Sequence, residues 1–475
     1  MLILKSLSIL FIPVFSGFQL INFISRGKNY SVTFKAALAY GLGLGMISLH
    51  MLFLGIFNVP MTSPAINLPL LFTAFVLFML NSRSKKNNKG NVALYKEVTC
   101  QTEPLSTLEK YLTILFLYFI GINLLATFSI ALSIPVYSWD TLSTHSFNAK
   151  VFYFEKSFIY YDTLPHNTYP LHVPFIEAWL NITLGEWDDQ VIKIFFPIYA
   201  LSIIIIQHHF LKNFTNKCWA LLGSVFLLSS NFFLYHSSIA YRDFTIMYYN
   251  YTALLLLILW FKNHRTDFLI VAAIFSGLTS FVKLEGTGYL FIHIMIFAYM
   301  LFLRKNDSLK KRIGLFFTFT IPGLLICLPF HFFKFYRIRQ TLRLETSTES
   351  KHFDLYNLKL HLSMETFQKI WIVITRILTN MFYSNNWNLT WLIFFISFIH
   401  LINKKIQTET KLLLLALLMY FGVYICGYSF TQHFFWISQT ETSLSRGILH
   451  FFPIITAVII LLNFSNKNKN ASCEK

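Results

Sequence analysis

Two aspartates and an arginine stand where an apolar chain has least reason to keep them. Asp140 follows Trp139 at the end of one long apolar run, and Asp243 closes Tyr241-Arg242-Asp243 at the start of another. Arg446 sits in Ser443-Leu444-Ser445-Arg446-Gly447 before a third. A carboxylate in a water-facing loop can act as general base toward a hydroxyl, provided its neighbours keep it ionised. The same aspartate ahead of a helix can simply cap free backbone N–H groups. Arg446 offers a planar fork of donors that suits phosphate oxygens better than a lysine does. Its alternative is an interfacial anchor that snorkels toward water, and Arg242 and Lys283 carry the same two readings. An acid such as Asp243 at a lipid-facing span start is costly, which argues for a cavity or a partner there.

Asp140 opens a polar, aromatic island, residues 135–190. It holds Ser138-Trp139-Asp140, His166-Asn167-Thr168-Tyr169-Pro170 and Trp187-Asp188-Asp189. Phe147, Val151, Phe154 and Phe158 form one helical stripe; Leu171, Phe175, Trp179 and Ile182 form a second. Both segments suit helices lying in the membrane interface with aromatic faces toward lipid. The other acids of the island (Glu155, Asp162, Glu177, Glu186, Asp188 and Asp189) read as solvated loop charges. The histidines assigned to the same face (His145, His166, His172, His236, His433 and His450) follow no metal-ligand spacing, so a metal is left unassigned.

The elements that must carry these residues are membrane spans. Of 475 residues, 55% are hydrophobic and only 13% charged, against about a quarter in an ordinary soluble domain. About thirteen apolar runs can cross a roughly 30 Å hydrocarbon core: 6–24, 32–56, 65–81, 111–134, 190–210, 218–236, 244–261, 268–283, 288–303, 313–333, 388–403, 411–430 and 447–463. Lipid satisfies no backbone polar group, so the spans must be helices and the class is an all-α polytopic membrane protein. The first run reads as a retained anchor, because no small-residue cleavage site precedes Arg26. Five cysteines without metal or disulfide spacing suggest neither a staple nor a metal site.

The net charge of +18 raises a nucleic-acid reading, but the bases are dispersed between spans. Alternate loops hold about 23 of the 39 Lys and Arg, which by the positive-inside rule makes those loops cytoplasmic. Asp140, Asp243, Lys283 and Arg446 then all fall on the opposite, extracytoplasmic face. Residues 1–110 read as three additional spans plus a flexible basic linker from Asn81 to Lys110. Residues 111–465 form the main bundle and 466–475 a short polar cytoplasmic tail. The loop 334–387 begins basic and holds an amphipathic helix near Met364–Phe382.

Across roughly 111–460 the chain resembles the GT-C polytopic glycosyltransferases that use polyprenyl-phosphate sugars, of the protein-mannosyltransferase and aminoarabinose-transferase type. Ser138-Trp139-Asp140 matches the acidic residue of the first outer loop. His166 through Phe175, with Trp179 and Leu184-Gly185, matches the Tyr-Pro loop and the helix after it. Ser238 through Asp243 matches the second acidic position, Gly277 through Lys283 a later span end, and Arg446 before His450-Phe451-Phe452-Pro453 the late arginine. Three spans before the catalytic loop depart from the pattern.

The resemblance implies that Asp140 is the catalytic base. It places Asp243, Tyr169 and His166 at a second acidic or acceptor site, and Arg446, Lys283 and Arg242 at the carrier phosphate. It implies inverting transfer of a sugar from a polyprenyl-phosphate donor to an extracytoplasmic glycolipid, glycan or protein, in the plasma (bacterial inner) membrane. No cofactor follows with certainty, a divalent metal stays open, and no nucleic-acid partner is expected. Two other readings compete: a flippase or transporter of lipid-linked saccharides, and a polymerase or ligase of such glycans.

Overall fold

The computed structural model describes all residues except 1, 27, 29, 88–103, 159–168, 342–363, 400–405, 431–433, 435–436, 438–442 and 466–475. Its helices, in order, are α1 (Leu2–Ile9), α2 (Phe11–Ser25), α3 (Val32–Ile56), α4 (Ser63–Asn87), α5 (Thr107–Ser133), α6 (Ser146–Glu155), α7 (His172–Leu184), α8 (Phe195–Leu211), α9 (Lys217–Ser229) and α10 (Asn231–His236). They continue as α11 (Arg242–Asn263), α12 (Thr266–Val282), α13 (Glu285–Leu303), α14 (Leu309–Thr341), α15 (Met364–Met381), α16 (Ser384–Trp387), α17 (Thr390–Ile399), α18 (Thr408–Phe430), α19 (Leu444–Leu449) and α20 (Phe452–Phe464).

Among the described residues, nine helices are long and apolar enough to cross a membrane. Four shorter apolar helices, α9, α12, α17 and α20, lie at the other expected spans, so nine of thirteen meet that length. α11 is the central one: nearly every residue from Arg242 to Trp260 is buried in protein. It packs against α8, α12, α13 and α18. Polar groups inside the bundle bond to one another across helices. His293 reaches Ser276 at 2.9 Å and Tyr420 at 3.0 Å, and Tyr251 donates to Gln207 at 2.9 Å. Such bonds join helices where lipid offers no alternative partner.

The helices before the basic linker pack into the same bundle. α3 contacts α7 and α8, and α1 contacts α7. Tyr248 donates to the Ala37 carbonyl at 2.7 Å, and Ser48 meets His172 at 2.7 Å. α2 and α3 approach so closely that a Cβ on Gly43 would fall on the Pro13 carbonyl, and one on Gly17 on the Ala39 carbonyl. Small residues at such crossings let backbones meet.

Three expectations need correction. The linker does not begin at Asn81, because α4 stays helical through Asn87; 88–103 lies outside the described residues. α7 forms where its stripe predicts, but Leu171, Phe175, Trp179 and Ile182 are all buried in protein rather than turned to lipid. α3 and the wall around it cover that face. The stripe of α6 does look outward at Phe147 and Phe154, while Phe158 is buried beyond the helix end. The amphipathic helix near Met364–Phe382 is present as α15.

Gly43→Val should cost about 1–3 kcal/mol, since an overpacked helix crossing must spread. In detergent its thermal midpoint should fall by several degrees. Gly121→Val, on α5 with nothing near its Cβ position, should stay within about 0.5 kcal/mol of the parent. Equal midpoints for the two would refute the tight crossing.

Candidate functional site

One end of the bundle gathers residues from five separate segments. After α5 the chain turns into a short helical stretch whose π-helical turn is Thr141–His145, leading directly into α6. Thr141 Oγ1 donates to the Ala240 carbonyl at 2.9 Å, tying this turn to the chain just before α11. Asp140 already has helical backbone angles, and its side chain caps no N–H group. The N-cap alternative therefore does not apply. Instead its carboxylate pairs with Arg446, 306 residues away in sequence.

Arg446 is held from several sides. Its guanidinium lies over the Tyr241 ring at 5.6 Å and reaches a second acid, Asp243, at 3.8 Å. The neighbouring Ser445 is anchored by Asn380 of α15 at 2.9 Å and Asn386 of α16 at 3.0 Å. Gly447 lies against the Tyr424 ring, where a Cβ would collide. Burial opposes the charge on Arg446, but Asp243 and Asp140 more than offset it and hold the guanidinium further protonated than usual.

Asp243 is the inner acid. Its side chain is 4% exposed, against 37% for Asp140. Oδ1 accepts from Lys283 Nζ at 2.9 Å and from His450 Nε2 at 2.9 Å. Lys283 also pairs with Glu285 at 2.9 Å. Burial would lower the Lys283 pKa, yet Asp243 and Glu285 outweigh it and raise the pKa. Lys283 is thus a partly buried ion-pair partner and not a snorkelling side chain. The result is an alternating run of charges: Asp140, Arg446, Asp243, Lys283, Glu285.

Arg242 points elsewhere. It is buried, with its guanidinium 5.1 Å from the Tyr169 ring, and its Nε and Nη2 have no hydrogen-bond partner among the described residues. Asp140, Asp243, Lys283 and Arg446 are therefore brought together, with Arg242 and Tyr169 paired alongside; His166 lies outside the described residues.

Two residues of this region escape the sequence reading. His450, seen there only as one histidine among several, is fully buried against Asp243. Its spacing of four from Arg446 was the available signal, since residues i and i+4 share a helix face. Glu177, read as a solvated loop charge, is fully buried in α7 and accepts from Ser146 at 2.8 Å. Burial pushes its carboxyl up to about 8, against the opposing pull of the Ser146 hydrogen bond. His145 and His236 are buried beside Tyr241, and burial lowers both pKa values, that of His236 to about 4. Among the described residues no group of His, Cys, Asp or Glu is arranged to hold a metal ion.

Glu177 gives a signed pH effect. Between about 4.5 and 8 the folded protein keeps a proton that the unfolded chain releases, so stability falls as pH rises through that window. Thermal midpoints in detergent should drop from pH 5 to pH 8, and Glu177→Gln should flatten part of that slope. Identical slopes would show that Glu177 is ionised when folded.

No family model and no curated protein sequence matches this chain. Among solved structures it is similar to ArnT from Cupriavidus metallidurans bound to undecaprenyl phosphate, with a TM-score of 0.52 and 13% identity over 73% of this chain. The same protein in the apo state gives 0.49 and 12% over 74%. The chain spans 60% and 59% of the length of those two structures. ArnT is a GT-C glycosyltransferase, and the chain is a multi-pass helical membrane protein with the GT-C-like fold.

Proposed function

We propose that this protein is a membrane glycosyltransferase that moves a sugar from a polyprenyl-phosphate donor to an acceptor at the extracytoplasmic face, with inversion. The observation that carries the reading is the sharing of Arg446 between an exposed acid, Asp140, and a buried one, Asp243. The fold adds support, because its solved neighbour binds a polyprenyl phosphate. A bacterial inner membrane, with the loops rich in Lys and Arg in the cytoplasm, fits the same picture.

The chemistry follows from the division between the two acids. A single displacement needs one base on the acceptor side. Asp140 takes the proton of the acceptor hydroxyl as that oxygen bonds to the anomeric carbon. The bond from that carbon to the phosphate oxygen breaks, and polyprenyl phosphate leaves with the electron pair. The leaving group needs positive charge more than it needs a proton, and Arg446 supplies it in a site partly shielded from water. In the resting protein Asp140 occupies Arg446. A phosphate arriving at Arg446 takes that place and leaves Asp140 free for the acceptor. Asp243 stays behind, fixed by Lys283 and His450, and keeps the guanidinium from following the ligand out. Lys283, engaged by two carboxylates, acts through Asp243. Arg242, beside the Tyr169 ring, would be a second cation for the donor head group. The isoprenoid tail remains among the lipids beside the bundle.

Purified protein in lipid, supplied with polyprenyl-phosphate sugars, tests the reading. Asp140→Asn should lower transfer by at least about a hundredfold, within the usual worth of a general base. Near-normal transfer would remove Asp140 from that role. Arg446→Ala should raise the donor KM far more than Arg376→Ala on α15; equal effects would sink the carrier-phosphate assignment.

A further inference from the structure

His450 is a fully buried side chain that hydrogen-bonds Asp243 and is not itself part of the alternating charges. Its surroundings define its protonation. Nε2 faces a carboxylate oxygen at 2.9 Å, and a carboxylate only accepts, so Nε2 carries the hydrogen. Nδ1 lies 2.7 Å from both Tyr289 Oη and Tyr424 Oη, and the two hydroxyls are 2.6 Å apart. In a neutral ring Nδ1 accepts: one tyrosine donates to it and the other donates to that tyrosine's oxygen. The backbone is held too, since Asn250 Nδ2 of α11 donates to the His450 carbonyl at 3.2 Å.

Both nitrogens thus have defined roles, and the ring cannot turn without losing a bond at each end. His450 and Lys283 together occupy Oδ1 of Asp243, which leaves Oδ2 as the oxygen facing Arg446 at 3.8 Å. A buried carboxylate free to rotate would offer Arg446 either oxygen, or neither.

We infer that His450 is a positioning residue, which fixes Asp243 through Nε2–H and thereby sets Arg446 to receive the carrier phosphate. Tyr289 and Tyr424 hold the tautomer that makes this possible. The inference rests on the polyprenyl-phosphate donor proposed above and adds the group that prepares the phosphate site before any ligand arrives.

The test compares binding of a polyprenyl monophosphate with binding of the matching uncharged polyprenol, by native mass spectrometry of the full chain in lipid nanodiscs. The wild type should prefer the phosphate. His450→Phe keeps the ring volume but removes the donor, and should lose about tenfold of that preference while still binding the alcohol. His450→Gln offers an N–H near the position of Nε2 and should stay within about threefold of wild type. Tyr289→Phe with Tyr424→Phe, which leaves His450 in place, should lose part of the preference and provides the measurement if His450→Phe does not fold. The inference is overturned if His450→Phe keeps the full preference, if His450→Gln loses as much as His450→Phe, or if the tyrosine pair has no effect. A wild type that binds phosphate and alcohol equally would instead overturn the donor reading, and this inference with it.

Discussion

A carboxylate at the head of a helix sunk in protein is the constraint on which this site depends. Asp243 lies in the first turn of α11, the most enclosed helix of the bundle, with almost none of its side chain exposed. Burying an ion costs several kcal/mol unless charge and hydrogen bonds replace the lost water. Here the replacement comes from three segments: Lys283 after α12, His450 between α19 and α20, and Arg446 within α19. Removing one partner of such a buried pair costs about 3–5 kcal/mol. The ends of α11, α12, α19 and α20 that meet here are therefore bound to each other through one side chain. Asp140 adds the loop after α5 to that set.

Much of this was legible in the chain, because the expense of charge in an apolar sequence makes each exception visible. Asp140, Asp243, Lys283 and Arg446 stood out for that reason, and charge asymmetry between loops put them on one face. Sequence could not say which acid pairs with which base. Asp140 and Arg446 lie 306 positions apart, and their pairing depends on the turn at Thr141–His145 being fastened to Ala240. Nor could it separate the partly exposed acid from the buried one, since both stand at the margin of an apolar run. Glu177 was misread for a related reason. It lies between Phe175 and Trp179 on a segment expected at the membrane interface, where a carboxylate would face water, and its burial comes from α6 and from the helices that pack on α7. The aromatic stripe of α7 posed the same ambiguity: an apolar face says that something apolar must cover it, and both lipid and protein qualify. Here protein covers it.

That covering involves the helices that precede the basic linker. α1, α3 and α4 all contact α7. Lys5 donates to the Leu184 carbonyl at 2.6 Å, Trp179 to Asn67 at 2.8 Å, and Ser48 meets His172. α7 in turn holds Glu177 against Ser146, the first residue of α6, immediately after the turn that carries Asp140. A continuous series of contacts therefore runs from the first spans to the loop on which the proposed base sits. Helices ahead of the proposed catalytic loop need not touch substrate to matter, because they fix the wall against which that loop is built.

In the proposed reaction the two aspartates would take different roles because they differ in solvation. An acid enclosed by three cations or donors stays ionised and immobile, so it can orient a neighbour but cannot exchange a proton with a passing hydroxyl. An acid more than a third exposed, with one partner, can lose that partner to a better anion and remain in reach of water and acceptor. Asp243 satisfies the first description and Asp140 the second. Arg446 joins them, and since it is itself a quarter exposed, it is the member of the alternating charges that a phosphate can approach. An anion bound there would find its counter-charge already held by Asp243, with no need to recruit a side chain from water. Pre-organisation of that kind is what makes a fixed cation more effective than a mobile one when negative charge develops on a leaving group. The cost is the burial of Asp243, and the structure meets it with Lys283 and His450.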